Sequence, residues 1–130
     1  MTFSAVVADP KLMKDISEIN DMHKNGRWLS TNLGIETVAH SMVKKHLVIK
    51  AKPFSPEECG WVVREGAKIL NKNHWFPAAT IIIGWPDETP DEVQYTIDMM
   101  SDFRAFDFRG LVAPLPVSYT HLTLPTNREV

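Results

Sequence analysis

The sequence predicts an α/β fold in which helices connect parallel strands, as in part of a (β/α) barrel. Apolar segments of strand length alternate with segments of helical periodicity, and three helices begin with related signals, Asp-Pro, Ser-Pro-Glu-Glu and Thr-Pro-Asp-Glu. Long connections of this kind are needed between parallel strands but not between antiparallel ones. Four such units make about half of an eight-stranded barrel of roughly 250 residues. We therefore expect a half-barrel in residues 1–117.

The composition is that of one globular domain. The 130 residues suffice for one core and are too few for two domains of ordinary size. Hydrophobic residues make up 44% and charged residues 23%, and the formal net charge of -2 gives no signal for a nucleic-acid or membrane-surface binder. No apolar run approaches the roughly 20 residues of a membrane span, and no leader pattern is present, so we expect a cytoplasmic location.

The first part of the chain is predicted to contain two strands, and the second of them ends on a glutamate. Phe3–Ala8 is predicted as a short apolar strand, followed by a helix that begins at Asp9-Pro10. The apolar positions of that helix fall on one face: Leu12, Ile16, Ile19 and Met22. Leu29–Glu36 is predicted as the next strand and ends on Glu36. Glu36 is either a site residue or a partner of the following helix, whose N-terminus favours an acid.

The middle of the chain is predicted to be helical. A helix over residues 37–52 would place Val38, Met42 and His46 on one face. The lysines of this segment form either an anion-binding or a solvated surface: Lys44, Lys45, Lys50 and Lys52. A second helix begins at the capping box of Ser55. The single cysteine, Cys59, is either a small hydrophobe that points at the core, which is favoured, or a reactive thiol near a helix N-terminus. One cysteine excludes an internal disulfide and multi-cysteine metal sites built from this chain alone.

A run of β-branched residues dominates the second half. Residues 78–84 read as a strand buried on both faces, and the chain then turns and begins a helix at Pro90. That helix is predicted to reach about Phe103 and to bury four apolar residues: Val93, Ile97, Met100 and Phe103. Ligands lie over the carboxyl ends of parallel strands, so the loop after Gly84 is a candidate site. Gly84 either admits a ligand against the backbone or only makes the turn.

The last strand is predicted over residues 111–117, and the sequence pattern changes after it. Residues 118–130 have no helical period and continue no strand and helix unit. They resemble tails that recur on unrelated reading frames through translated sequencing adapters. We therefore interpret residues 118–130 as a non-native or disordered tail, and His121 carries no functional weight.

Two motifs at strand ends resemble those of radical S-adenosylmethionine (SAM) enzymes. They are Gly-Ile-Glu-Thr at residues 34–37 and Ile-Ile-Ile-Gly-Trp-Pro-Asp-Glu-Thr at residues 81–89. The chain is most similar to the cobalamin-associated branch, in which a Gly-Ile-Glu-(Ser or Thr)-Gly-Ser element precedes a hydrophobic-Gly-Leu-Pro-Gly-Glu-Thr element. The resemblance covers about residues 1–117 and implies a partial barrel with SAM across the strand ends.

The resemblance also implies roles for particular residues. Glu36, with Thr37 beside it, matches a polar contact to the ribose or methionyl part of SAM. Ile82, Ile83 and Gly84 match the strand end that lies along the adenine. Glu88 matches the acid of the second motif, which either contacts the ligand or supports the loop. No residue is assigned to catalysis or to a metal.

The chain departs from the family in three places. Val38 and Ala39 replace the family's Gly-Ser, and Asp87 stands where glycine is usual. The [4Fe-4S] cluster of radical SAM enzymes needs three cysteines in a Cys-x-x-x-Cys-x-x-Cys loop, and this chain has no such loop. The expectation is therefore an internal fragment of such an enzyme, whose cluster ligands lie elsewhere. The resemblance leaves open whether the enzyme uses cobalamin, whose domain would lie outside this chain.

Two functional interpretations follow. The leading one is a fragment that contributes part of the SAM site of an enzyme whose small-molecule or macromolecular substrate is unknown. The alternative is a non-catalytic half-barrel that acts as a scaffold or interaction module, in which Gly84 and Glu88 are structural. A phosphate-binding barrel is less favoured, since no Gly-x-Gly cluster is present.

Overall fold

The structure is a computed structural model that describes residues 1–103 and 107–116. Among these residues it contains helices and one three-stranded sheet. The helices are α1 (Phe3–Ala8), α2 (Pro10–Ile19), α3 (Met22–Asn25), α4 (His40–His46), α5 (Val48–Ala51), α6 (Cys59–Lys72) and α7 (Pro90–Ser101). The strands are β1 (Leu29–Glu36), β2 (Trp75–Ile83) and β3 (Leu111–Pro116). A short 3₁₀ turn, Pro56–Glu58, precedes α6.

The three strands lie parallel, as the sequence predicts, and their order in the sheet is β1-β2-β3. Residues Gly34, Thr80 and Ala113 are register partners across the three strands. The register shifts between Gly34 and Glu36, so that Glu36 lies opposite Ile81. The chain therefore has an α/β fold with an open parallel sheet.

The prediction of a first strand is wrong, because Phe3–Ala8 forms the helix α1. The Thr2 side chain accepts a hydrogen bond from the Ala5 N–H at the start of α1, and Asp9 caps the start of α2 by accepting from the Leu12 N–H. Phe3 and Val6 are buried in the core beside α6. A Cβ on Gly66 would lie 2.7 Å from the Phe3 ring, so this glycine lets α1 approach α6. The sheet has three described strands instead of four.

The helix predicted from Pro10 past Met22 is divided into α2 and α3, and α2 presents a different face to the core. Met13 and Ser17 are buried, whereas Leu12 is 48% and Ile19 80% exposed. The Trp75 indole N–H donates to the Met13 carbonyl at 3.0 Å and fixes this rotation. The helix is therefore turned by about one residue relative to the prediction, at 100° per residue.

Residues 37–52 form two short helices, α4 and α5, where one longer helix is predicted. Helix α7 begins at its predicted capping box, where Thr89 and Glu92 bond reciprocally. Its fully buried residue is Thr96, while Ile97 is exposed. Within the described residues no helix has the length and apolar character needed to cross a membrane.

Among the described residues, helices cover one face of the sheet only. Leu33, Ile35, Ala79 and Ile81 point to the covered face and belong to the core. The opposite face, which we call the open face, carries the alternate residues of each strand, and there Leu111 is 60% and Leu115 50% exposed. Parallel sheets are normally covered on both faces, so the open face is the unusual feature of this fold.

The predicted tail at residues 118–130 and the end of the last strand at Val117 lie outside the described residues.

Candidate functional site

The open face holds a groove of about 330 Å³ across the three strands. Its floor is the row of small residues Gly34, Thr80 and Ala113, which are register partners. Asn32 and Leu111 belong to the neighbouring row on one side. The volume lies at the lower end of the roughly 300–1,000 Å³ usual for small-molecule sites.

Glu36 closes this groove at the carboxyl end of β1. Its backbone has a φ of 66°, and the Thr37 N–H donates to the Ile35 carbonyl at 2.8 Å, which closes a three-residue turn around Glu36. Positive φ is uncommon for residues other than glycine and marks a place where the surrounding structure fixes the backbone. The turn directs the Glu36 carboxylate back over Gly34.

The Glu36 carboxylate forms an ion pair with Lys50 of α5, with Oε1 and Nζ 3.0 Å apart. Both side chains are partly buried. A Cβ on Gly34 would lie 2.7 Å from the Lys50 ammonium and even closer to the Glu36 carboxylate. Gly34 therefore makes room for the charged pair.

Thr37 is brought to the same strand end but faces away from the groove. It is fully buried, and its hydroxyl lies 3.2 Å from the Thr96 hydroxyl of α7 and accepts from the Ala39 N–H at 3.2 Å. Val38 and Ala39, which depart from the family motif, are buried as well. In this conformation the Thr37 side chain ties β1 to α7.

Ile82 and Ile83 point to opposite faces, because side chains alternate along a strand. Ile83 lines a cleft on the covered face with Ile97 and Met100 of α7. Ile82 is the register partner of Leu115 on the open face. Of these two candidates, only the Ile82 side chain shares a face with Thr80.

Gly84 and Glu88 act on each other. Gly84 has a φ of 94°, a conformation that favours glycine, and its N–H donates to the Glu88 carboxylate at 3.0 Å. The Glu88 N–H in turn donates to the Trp85 carbonyl at 2.9 Å. Glu88 therefore stabilises the loop that follows β2.

Glu36 and Gly84 lie at the same edge of the sheet, but they are not register partners across β1 and β2. Glu36 pairs with Ile81, and Gly84 follows three residues later along β2. At about 3.3 Å per strand residue, Gly84 lies roughly 10 Å further along the strand direction than Glu36. The space between them is bounded by Ile82.

The loop after Gly84 is held against α4 by His46. The His46 and Trp85 rings stack with centroids 5.0 Å apart, and His46 Nε2 lies 3.1 Å from Asp87 Oδ2. Lys45 Nζ is 3.6 Å from the same Asp87 oxygen. Asp87 thus has partners on α4, and its φ is not positive. We call residues 84–88 the rim loop.

The pKa of the Asp87 carboxyl lies below its ordinary value of 3.8, chiefly because the His46 imidazole hydrogen-bonds the carboxylate. A depressed folded-state pKa contributes stability that is present above the ordinary pKa and is lost as the pH falls through the folded value. The contact between the rim loop and α4 therefore weakens in acid.

Asp87→Asn is expected to lower the melting temperature slightly near pH 6. The difference from the wild-type chain should shrink as the pH falls from about 4 toward the lower folded-state pKa, because the carboxylate is protonated first in the unfolded chain and then in the folded one. Melting curves followed by circular dichroism across this pH range measure it. In a His46→Ala background the Asp87→Asn difference should be reduced at every pH. A difference that stays constant from pH 6 to pH 3 contradicts the assigned pairing.

Cys59 is unsuited to cluster binding or nucleophilic chemistry. Burial raises the pKa of its thiol to about 11, and the nearby Lys50 charge offsets only part of this effect. Its sulfur lies 4.0 Å from the Thr37 carbonyl oxygen. Among the described residues no group of three or more histidine, cysteine, aspartate or glutamate side chains is arranged to hold a metal ion.

Comparisons with known proteins find no match to this chain among family models, curated proteins or solved structures. The site is therefore defined by its own geometry.

Several residues of the site escape prediction from the sequence alone. Asn32 and Thr80 reach the groove because of strand register, which pairs Asn32 with Ala78 and Gly34 with Thr80. The alternation of β1 placed Asn32 on the face of Gly34, and that signal was available. Lys50 and His46 reach the site through the packing of α5 and α4, for which the sequence carries no local signal.

Proposed function

We propose that this chain forms part of a radical SAM enzyme barrel and contributes one side of its SAM site. The nucleoside of SAM would lie on the carboxyl edge of the sheet, between Glu36 and Gly84. The single observation that carries the proposal is the parallel sheet whose described helices cover one face and whose other face bears a groove that ends at the Glu36 carboxylate.

The open face supports a barrel in preference to a two-layer sheet. In a (β/α) barrel the outer face of each strand packs on helices and the inner face points to the barrel interior. The barrel interior is usually filled by bulky branched side chains. Here its middle row is Gly34, Thr80 and Ala113. Small residues at these positions favour an interior that holds a ligand.

The residues at this edge fit a nucleoside with an attached polar chain. Glu36 has one carboxylate oxygen on Lys50, and the other is suited to accept hydrogen bonds from ribose hydroxyls. Ile82 offers an apolar surface for the base, and Gly84 has no side chain to obstruct it. When bound, SAM supplies the adenosyl group of the radical reaction; this chain's residues bind and orient it.

The iron-sulfur cluster does not fit the residues of this chain. Its single cysteine is Cys59, whose half-buried thiol at the start of α6 faces the Thr37 carbonyl. We therefore assign the cluster to chain outside these 130 residues and derive no step through it. Cobalamin enters only through the resemblance to the cobalamin-associated branch.

Glu36→Gln tests the proposal. The substitution removes the charged acceptor while preserving the size of the side chain, and charge-assisted hydrogen bonds contribute about 1.5–3 kcal/mol. We expect the Kd for S-adenosylhomocysteine, measured by NMR titration of the 130-residue chain, to rise at least about tenfold.

Gly84→Val is a second variant at the opposite end, where branched bulk would obstruct the base, and it should weaken binding as well. Glu18→Gln on α2 is the control, because Glu18 pairs with Lys14 at a surface remote from the groove. Unchanged affinity in both site variants would leave Glu36 and Gly84 with structural roles and favour the scaffold alternative.

A further inference from the structure

We propose that Lys50 is a positioning residue that both orients the Glu36 carboxylate toward the SAM site and neutralises its charge. This inference rests on the proposed function. It adds to that function a residue on α5 that neither motif contains, and it states how the site treats the sulfonium charge of SAM.

The geometry ties the Glu36 carboxylate to one place. The Lys50 ammonium is 3.0 Å from Glu36 Oε1, and both groups lie over Gly34, where even a methyl group would collide with them. Glu36 itself is held at positive φ by the turn between Ile35 and Thr37. The backbone turn fixes the direction in which the Glu36 side chain leaves the backbone, and Lys50 fixes the position of its carboxylate.

Lys50 is in turn held from α1. The buried Ser4 hydroxyl donates to the Lys50 carbonyl at 2.8 Å, across 46 positions in sequence. The Ser4 hydroxyl also lies 2.9 Å from the Thr2 hydroxyl. Helix α5 has four residues and no side-chain cap, so its own hydrogen bonds hold it weakly. The Ser4 contact therefore helps to fix Lys50 beside β1.

The pairing has a consequence for ligand charge. An unpaired Glu36 carboxylate would attract the positively charged sulfonium of SAM more than the neutral thioether of S-adenosylhomocysteine. Lys50 cancels most of that charge. The wild-type site should therefore distinguish the two ligands poorly, and removing the lysine charge should increase the preference for SAM.

The test compares both ligands in Lys50→Met, Lys50→Arg and Lys14→Met by NMR titration. Holding the Glu36 side chain in place before the ligand binds contributes a factor of about two to ten to the affinity. Lys50→Met should therefore weaken the binding of S-adenosylhomocysteine by that factor. The ratio of the two Kd values should shift toward SAM by at least about threefold, which is the attraction of two unit charges roughly 6 Å apart in bulk water.

The controls separate charge and position from general damage. Lys50→Arg keeps the charge and should restore both the affinity and the ratio. Lys14→Met removes a lysine from the Lys14–Glu18 pair on α2 and should change neither. Wild-type values of the affinity or the ratio in Lys50→Met would overturn the proposal, as would equal effects of Lys14→Met.

A measurement without ligand distinguishes failure of this inference from failure of the proposed function. NMR relaxation of the Glu36 side-chain carbons should report an ordered side chain in the wild type and in Lys50→Arg, and a mobile one in Lys50→Met. If neither ligand binds the wild type, the SAM site is wrong and this result still decides whether Lys50 positions Glu36. Equal order in all three chains overturns the positioning role.

Discussion

Leu70→Ala is expected to lower the free energy of unfolding by about 2–5 kcal/mol, the usual cost of truncating a fully buried leucine. Leu70 lies on α6, has no exposed surface and packs in the cluster that joins α1, α6 and β2. A domain of this size has a total stability of about 5–15 kcal/mol, so the loss is a large fraction. Chemical denaturation followed by circular dichroism measures it.

Ile19→Ala provides the matched control. Ile19 is 80% exposed at the end of α2, and its truncation should change the stability by no more than about 0.5 kcal/mol. The amphipathic pattern of the sequence alone predicts the opposite, since it places Ile19 on the buried face. Equal losses in the two variants would contradict the observed rotation of α2.

Gly34→Val is expected to have the largest effect on the site. The added side chain would occupy the space of the Glu36 carboxylate and the Lys50 ammonium and would fill the middle row of the groove. Valine suits a strand, so the fold should survive the substitution. We expect binding of S-adenosylhomocysteine to fall more than tenfold, because both the acceptor and the space for the ligand are affected.

Ser30→Val is the control for this variant, since Ser30 lies four residues earlier on the same face of β1 and does not line the groove. Calorimetric titration and a melting curve should be recorded for both. Binding retained by Gly34→Val at wild-type affinity would show that the ligand, if any, does not use this groove.

The strands were predictable because their signals are local. The β-branched run of β2 and the capping box of α7 each specify one element, and the long connections imply parallel pairing. Phe3–Ala8 was not predictable in the same way. A short apolar run fits a strand or a buried helix equally well, and the choice here depends on the Thr2 cap and on packing against Gly66.

The candidate site was predictable to the extent that strand ends define it. Glu36 and Gly84 follow from the ends of β1 and β2, and their common edge follows from parallel pairing. Thr37 was assigned to the site by its neighbour, but the turn at Glu36 directs Thr37 into the core. Lys50 depends on the position of α5, which is fixed by the contact with Ser4 and therefore by tertiary structure.

Chemical-shift mapping with S-adenosylhomocysteine tests the proposal that SAM lies on the carboxyl edge of the sheet. The proposal predicts that the backbone amides of Gly34, Glu36, Ile82 and Gly84 shift together with a single Kd, while those of the amino edge, such as Leu29 and Trp75, stay in place. Saturable shifts confined to another surface, or no shifts at millimolar ligand, would contradict it.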